Sequence, residues 1–188
     1  MVCYLNKQKR SGMRDDGKFH FRSDPTPPEI HPAESVQDDA LRATLDYWLR
    51  LKGTRAMPAR SEIVARDIKH GLRCIHIYEV VADGVDFRTR LVGSGVYPGL
   101  DQDQTGKLVS EHPDPGVRLR FGMILRNVAR TGQPLRSLSL RHTGSLLHDS
   151  RAEGLWLPLG DGARVEQILA HSSLMTIPPG VQNPTDKT

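Results

Sequence analysis

The sequence predicts an α+β domain built on one antiparallel sheet of five strands with a helical crossover. Three observations carry this expectation. Two strand–turn–strand units are joined by Asp83-Gly84 and by Gly160-Asp161-Gly162. A helix with clear start and stop signals follows Asp114. An amphipathic helix precedes the first strand, so the order is helix, two strands, short helical turns, helix, three strands.

Residues 1–34 read as a basic, Pro-rich tail. They carry Lys7, Lys9, Arg10, Arg14, Lys18 and Arg22, then Asp24-Pro25-Thr26-Pro27-Pro28, with no helical or strand period. Residues 178–188 read as a second loose tail, which leaves 35–177 as the folded part. The first helix is capped by Ser35 or Asp38. Leu41, Leu45, Trp48 and Leu49 fall at i, i+4, i+7 and i+8, and Gly53 stops it. Pro58 bars a helix in the next segment, and Ser61 opens a short one through Ile68. Leu72 to Val81 is rich in β-branched residues, and Phe87 to Gly93 alternates, so the two form a hairpin. Gly93, Gly95, Pro98, Gly99 and Gly106 then exclude a long helix. In the second helix Asp114 caps, Pro115 takes the first position, and Val117, Phe121, Ile124, Leu125 and Val128 share a face up to Gly132. Leu135 to His142, the run around Leu155, Leu157 and Leu159, and Val165 to Leu174 supply the last three strands.

Composition narrows the function. No apolar run nears the roughly 20 residues that cross a bilayer, and no apolar stretch follows the basic N-terminus as in a secretory signal. A cytoplasmic protein without a membrane partner is expected. The net charge is +4, with 19 Arg against 7 Lys. An excess of four charges is small for 188 residues and reads as ordinary solvated surface. Cys3 and Cys74 form no C-x-x-C and no Cys/His quartet, so no structural zinc is expected.

Several motifs in fixed order carry a family resemblance. They are Tyr47-Trp48, Met57-Pro58-Ala59-Arg60, Asp86-Phe87-Arg88-Thr89-Arg90-Leu91-Val92-Gly93, Gln104-Thr105-Gly106-Lys107 and Arg164-Val165-Glu166-Gln167-Ile168-Leu169. With the element order, they resemble a family of small bacterial PAS-like proteins over roughly residues 38–176. That resemblance implies a five-stranded sheet with a flanking N-terminal helix. It also implies a sensory or regulatory role, a ligand space between sheet and helices, and dimerisation through the flanking helix.

No catalytic constellation is legible. Val92-Gly93-Ser94-Gly95-Val96 is not the G-x-S-x-G of a nucleophile elbow, and its glycines lack the third member of a dinucleotide fingerprint. An enzyme is therefore not expected. No cofactor is required by the sequence. His76, His142, His148 and His171 lie in or near strands and could ligate haem iron, but a hydrogen-bonded or solvated imidazole is the simpler reading. A photosensing flavin would need a reactive cysteine on a helix beside the sheet, whereas Cys74 falls in the first strand. For a small-molecule pocket the candidates are Tyr78, Arg90, Tyr97, His142, Trp156 and His171. Arg90 is also expected to pair with Glu79 across the hairpin. For a homodimer or a signalling-protein partner the candidate surface is Leu41, Leu45, Trp48 and Leu49, which otherwise cap the domain's own sheet. The alternative is a nucleic-acid-associated protein that uses its basic arm, in which Asp15, Asp16 and Asp24 dilute the charge.

Overall fold

The computed structural model describes residues 27–95, 104–142 and 149–176. Its elements are β1 (Glu29–Pro32), α1 (Asp39–Lys52), β2 (Ile75–Val81), β3 (Asp86–Val92), α2 (Pro115–Thr131), β4 (Leu135–His142), β5 (Asp149–Gly160) and β6 (Val165–Thr176). Short 3-10 turns at 60–62, 65–68 and 72–74 join α1 to β2. The strands form one antiparallel sheet in the order β1-β4-β5-β6-β2-β3. The expected α+β class and crossover are present, with a sixth strand added. Glu29–Pro32, expected within the N-terminal tail, pairs with Leu135–Leu138 of β4, and a turn over Ala33–Ser35 follows it. The prolines that hid this strand are tolerated because β1 is an edge.

Both helix starts follow the sequence signals. Asp38 accepts from the N–H groups of Ala40 and Leu41 at 2.8 and 3.1 Å. Asp114 accepts from those of Gly116 and Val117 at 2.8 and 3.3 Å. Each carboxylate satisfies donors that a helix N-terminus leaves open. Gly132 closes α2 in the left-handed conformation that glycine adopts without steric penalty.

Strand periodicity divides the core into two layers. Ile75 and Ile77 of β2, Leu155, Leu157 and Leu159 of β5, and Leu169 of β6 pack with Leu41, Leu45 and Trp48 of α1. Tyr78, Trp156, Ile168 and Ala170, the residues in between, pack with Ile124, Leu125 and Val128 of α2. Each helix therefore covers one face of the sheet. The expected docking surface on α1 needs correction. Leu41, Leu45 and Trp48 are at most 1% exposed, and the Trp48 Nε1–H donates to the Pro158 carbonyl at 2.9 Å. They cap the domain's own sheet, each burial stabilising by roughly 1.5–3 kcal/mol. Only Leu49 of that set remains exposed.

The quoted motifs hold this framework together. Tyr47 Oη donates to the Glu62 carbonyl and accepts from the Val64 N–H, which anchors the 60–64 turns to α1. The Pro58 carbonyl accepts from the Gly160 N–H at the end of β5. Asp86 accepts from Phe87 N–H and from the Ser110 hydroxyl. Gly106 N–H donates to the Thr89 carbonyl, and Thr89 N–H to that of Lys107. The second pair of bonds laces the 104–108 segment along the β3 edge.

Candidate functional site

Where α2 begins, a recess opens between that helix and the sheet. Its walls come from four parts of the chain. His76 and Tyr78 project from β2 and Thr89 and Val92 from β3, while Gln104 and His112 come from the crossover and Val117 and Phe121 from α2. His76 and Tyr78 share this face because β positions two apart point the same way, and Thr89 and Val92, three apart, share it across a bulge in β3. Gln104 arrives through the lacing of its neighbours Gly106 and Lys107 to Thr89. The cavity measures about 20 Å³. That suffices for a water molecule and lies far below the roughly 300 Å³ at which drug-sized pockets begin.

Tyr78 and Phe121 give the recess an aromatic floor, backed by Trp156. Tyr78 stacks on Trp156 with ring centroids 6.2 Å apart, and the Phe121 edge meets both rings at 6.0 and 5.4 Å. Such edge and offset contacts add roughly 0.5–1.5 kcal/mol beyond area burial. Trp156 Nε1–H donates to the Ser137 hydroxyl at 2.8 Å, which fixes the indole. His76 lies parallel to Tyr78 at 6.0 Å. Burial pushes the His76 imidazole down to about 4, and the nearby His171 adds to the shift. Burial also lowers His112, although the Asp114 carboxylate opposes it. Because Asp114 N–H donates to His112 Nδ1 at 3.1 Å, the remaining ring proton sits on Nε2 in the neutral form.

A second polar cluster lies on the opposite face, beneath α1. The Thr44 hydroxyl stands 2.9 Å from His171 Nδ1 and 3.2 Å from His70 Nε2, and it donates to the Ala40 carbonyl at 3.0 Å. Gly71 permits this packing, since a Cβ there would stand 2.3 Å from His171 Cε1. Burial pushes His171 down to about 4, His70 adds to the shift, and Asp38 opposes it.

The expected pocket set is thus divided by the sheet. Tyr78 lines the recess and Trp156 stacks behind it without lining it, whereas His171 faces α1. Arg90 is exposed and is not among the residues that line the recess. Its expected pairing with Glu79 is also displaced. Ile77 opposes Leu91 and Tyr78 opposes Thr89, so Arg90 is the extra residue of a bulge. Arg88 faces Glu79 instead, with Nε 3.5 Å from Oε2. Tyr97, His148 and the side chain of His142 lie outside the described residues. His76 and His171 sit on opposite faces and converge on no common iron. Among the described residues no three His, Cys, Asp or Glu side chains gather as a metal would require. Sequence reasoning missed Thr89, Gln104, His112 and Phe121 as recess residues. The apolar face of α2 could have supplied Phe121, but nothing in the chain order marks the other three.

A family model described as the PAS domain matches residues 36–169. The chain belongs to the PAS domain family. The matched span runs from just before α1 into β6, so it includes both helices and the recess wall. No curated protein and no solved structure matches the chain. PAS membership suggests a sensory or regulatory role for the domain. Among the described residues, no helix of this PAS domain is long and apolar enough to cross a membrane.

Proposed function

We propose that this PAS protein is a sensory regulator that acts by contact with a protein partner, either a signalling protein or a second copy. We assign it no catalytic step and no required cofactor. The observation that carries the reading is the position of the recess. It touches the first two turns of α2 through Val117 and Phe121, and Phe121 packs directly on the sheet residues Tyr78 and Trp156. A change in what fills the recess must shift either the helix or the aromatic floor, because packed cores offer little free space. The outer side of the same helix is exposed, so such a shift is readable at the surface. A larger ligand could enter only with displacement of α2.

Filling the recess tests this coupling. Thr89→Leu adds bulk to a residue that lines it and is only 6% exposed. Hydrogen exchange on the full chain should then change across the amides of 114–130, while those of α1 keep their wild-type protection. Unaltered exchange in α2, in a folded variant, would remove the reading. Native mass spectrometry of the parent chain reports the oligomeric state and any retained small molecule in the same preparation.

A further inference from the structure

The outer stripe of α2 combines exposed apolar and cationic side chains. Its exposed residues Leu119, Met123, Arg126 and Arg130 follow at i, i+4, i+7 and i+11. Leu119 and Met123 are 42% and 36% exposed, although both are large apolar side chains. The helix holds four arginines and no Asp or Glu between Pro115 and Thr131. Arg126 and Arg130 have no carboxylate partner among the described residues. The Arg126 guanidinium lies back over Gly122, with Nη2 only 2.9 Å from where a Cβ would stand. Gly122 therefore provides a notch that seats the guanidinium against the helix, beside Met123.

From this we infer that the outer face of α2 docks an acidic amphipathic helix of a partner protein, with carboxylates opposite Arg126 and Arg130 and apolar side chains on Leu119 and Met123. The inference rests on the reading of the chain as a contact regulator and names the surface and the partner's chemistry. Charge complementarity selects this occupant. Two cations without carboxylate partners among the described residues attract carboxylates, and Arg can receive each in a two-pronged fork. The apolar pair lies between Pro115 and the arginines on one stripe, the pattern that a helix laid along a helix satisfies. A phosphate backbone would pair with the arginines but leave Leu119 and Met123 against charged groups. A second copy would bring four more arginines and no carboxylate in its facing helix.

The test uses the full chain and a fluorescein-labelled synthetic peptide of Glu, Ala and Leu, with leucines at i and i+4 and glutamates beside them. A scrambled peptide of the same composition and a short DNA duplex serve as comparators. Fluorescence anisotropy at low salt should show the patterned peptide bound in preference to both. The double variant Arg126→Glu/Arg130→Glu should weaken it about tenfold or more. Leu119→Ser/Met123→Ser should weaken it about fivefold. All four positions are exposed, so thermal melts should stay near the parent's; if the glutamates disturb folding, Arg126→Gln/Arg130→Gln replaces them. The inference is overturned if the patterned peptide does not bind, if the scrambled peptide binds equally, or if the variants bind like the parent. It is also overturned if the duplex binds more tightly through the same arginines, or if the parent self-associates through Leu119 and Met123. Were the peptide to fail while Thr89→Leu still altered exchange in α2, the regulatory reading would stand and only this surface would fall.

Discussion

At the scale of single residues, the two buried imidazoles give the protein a defined response to acid. His76 on the α2 face and His171 on the α1 face are both held down at about 4, against an ordinary histidine value of 6.5. The unfolded chain therefore binds their protons more readily than the folded one. The stability they contribute is fully present above about pH 6.5 and is lost as the pH falls towards 4. Each is worth on the order of 3 kcal/mol by that linkage, and the two are not additive because the charge of one disfavours that of the other. Urea midpoints should hold steady from neutral pH to about 6.5 and then fall towards pH 4, and His171→Gln should flatten the descent. A flat profile in the parent chain would show that neither histidine is held neutral by the fold. Neither role was legible from the sequence. Period two places His76 beside Tyr78, but the face that meets a helix follows from how both helices pack, and Thr44 reaches His171 across 127 positions of the chain.

Elements were far more legible, because their signals are local. Asp38, Asp114, Gly53 and Gly132 mark the helix ends in the sequence and cap them in the structure. Strand β1 escaped because the three residues between Pro28 and Pro32 carry no period, and its partner β4 is distant in sequence. The attachment of α1 to the sheet also depends on a distant residue. Glu153 of β5 is completely buried, and its carboxylate accepts from the N–H groups of Gln37 and Asp38 at 2.8 and 3.0 Å and from Arg136 Nε. This anion sits at the positive end of α1 and ties the helix to β4 and β5 at once. Glu153→Ala strands the Arg136 guanidinium, only 10% exposed, and leaves two backbone donors open. We expect a loss of about 3–5 kcal/mol in chemical denaturation. A loss below about 1 kcal/mol would mean that water replaces the carboxylate and that α1 is held by its apolar face alone.

For the molecule as a whole, the question is where the cooperative unit begins. The sequence puts that boundary at residue 35, but the sheet extends past it. Pro28 is buried, Glu29–Pro32 pairs with β4, Ala33 is 1% exposed, and Arg42 of α1 donates to the Glu34 carbonyl at 2.8 Å. A chain starting at Pro27 keeps all of these contacts; one starting at Ser35 loses them and bares the outer edge of β4. The first should melt with the full chain, and the second should be destabilised by about 1–3 kcal/mol, since each ladder hydrogen bond contributes roughly 0.5–1.5 kcal/mol. Equal melting of the Ser35 chain would show that β1 stands outside the unit. The same pair of truncations decides the role of the basic arm without confusing it with unfolding. The arm's six cations all precede Ser23. If they bind nucleic acid, salt-sensitive binding of a DNA duplex should be present in the full chain and absent from the chain starting at Pro27, with its melting point unchanged. Equal binding by that chain would leave the arm without this role.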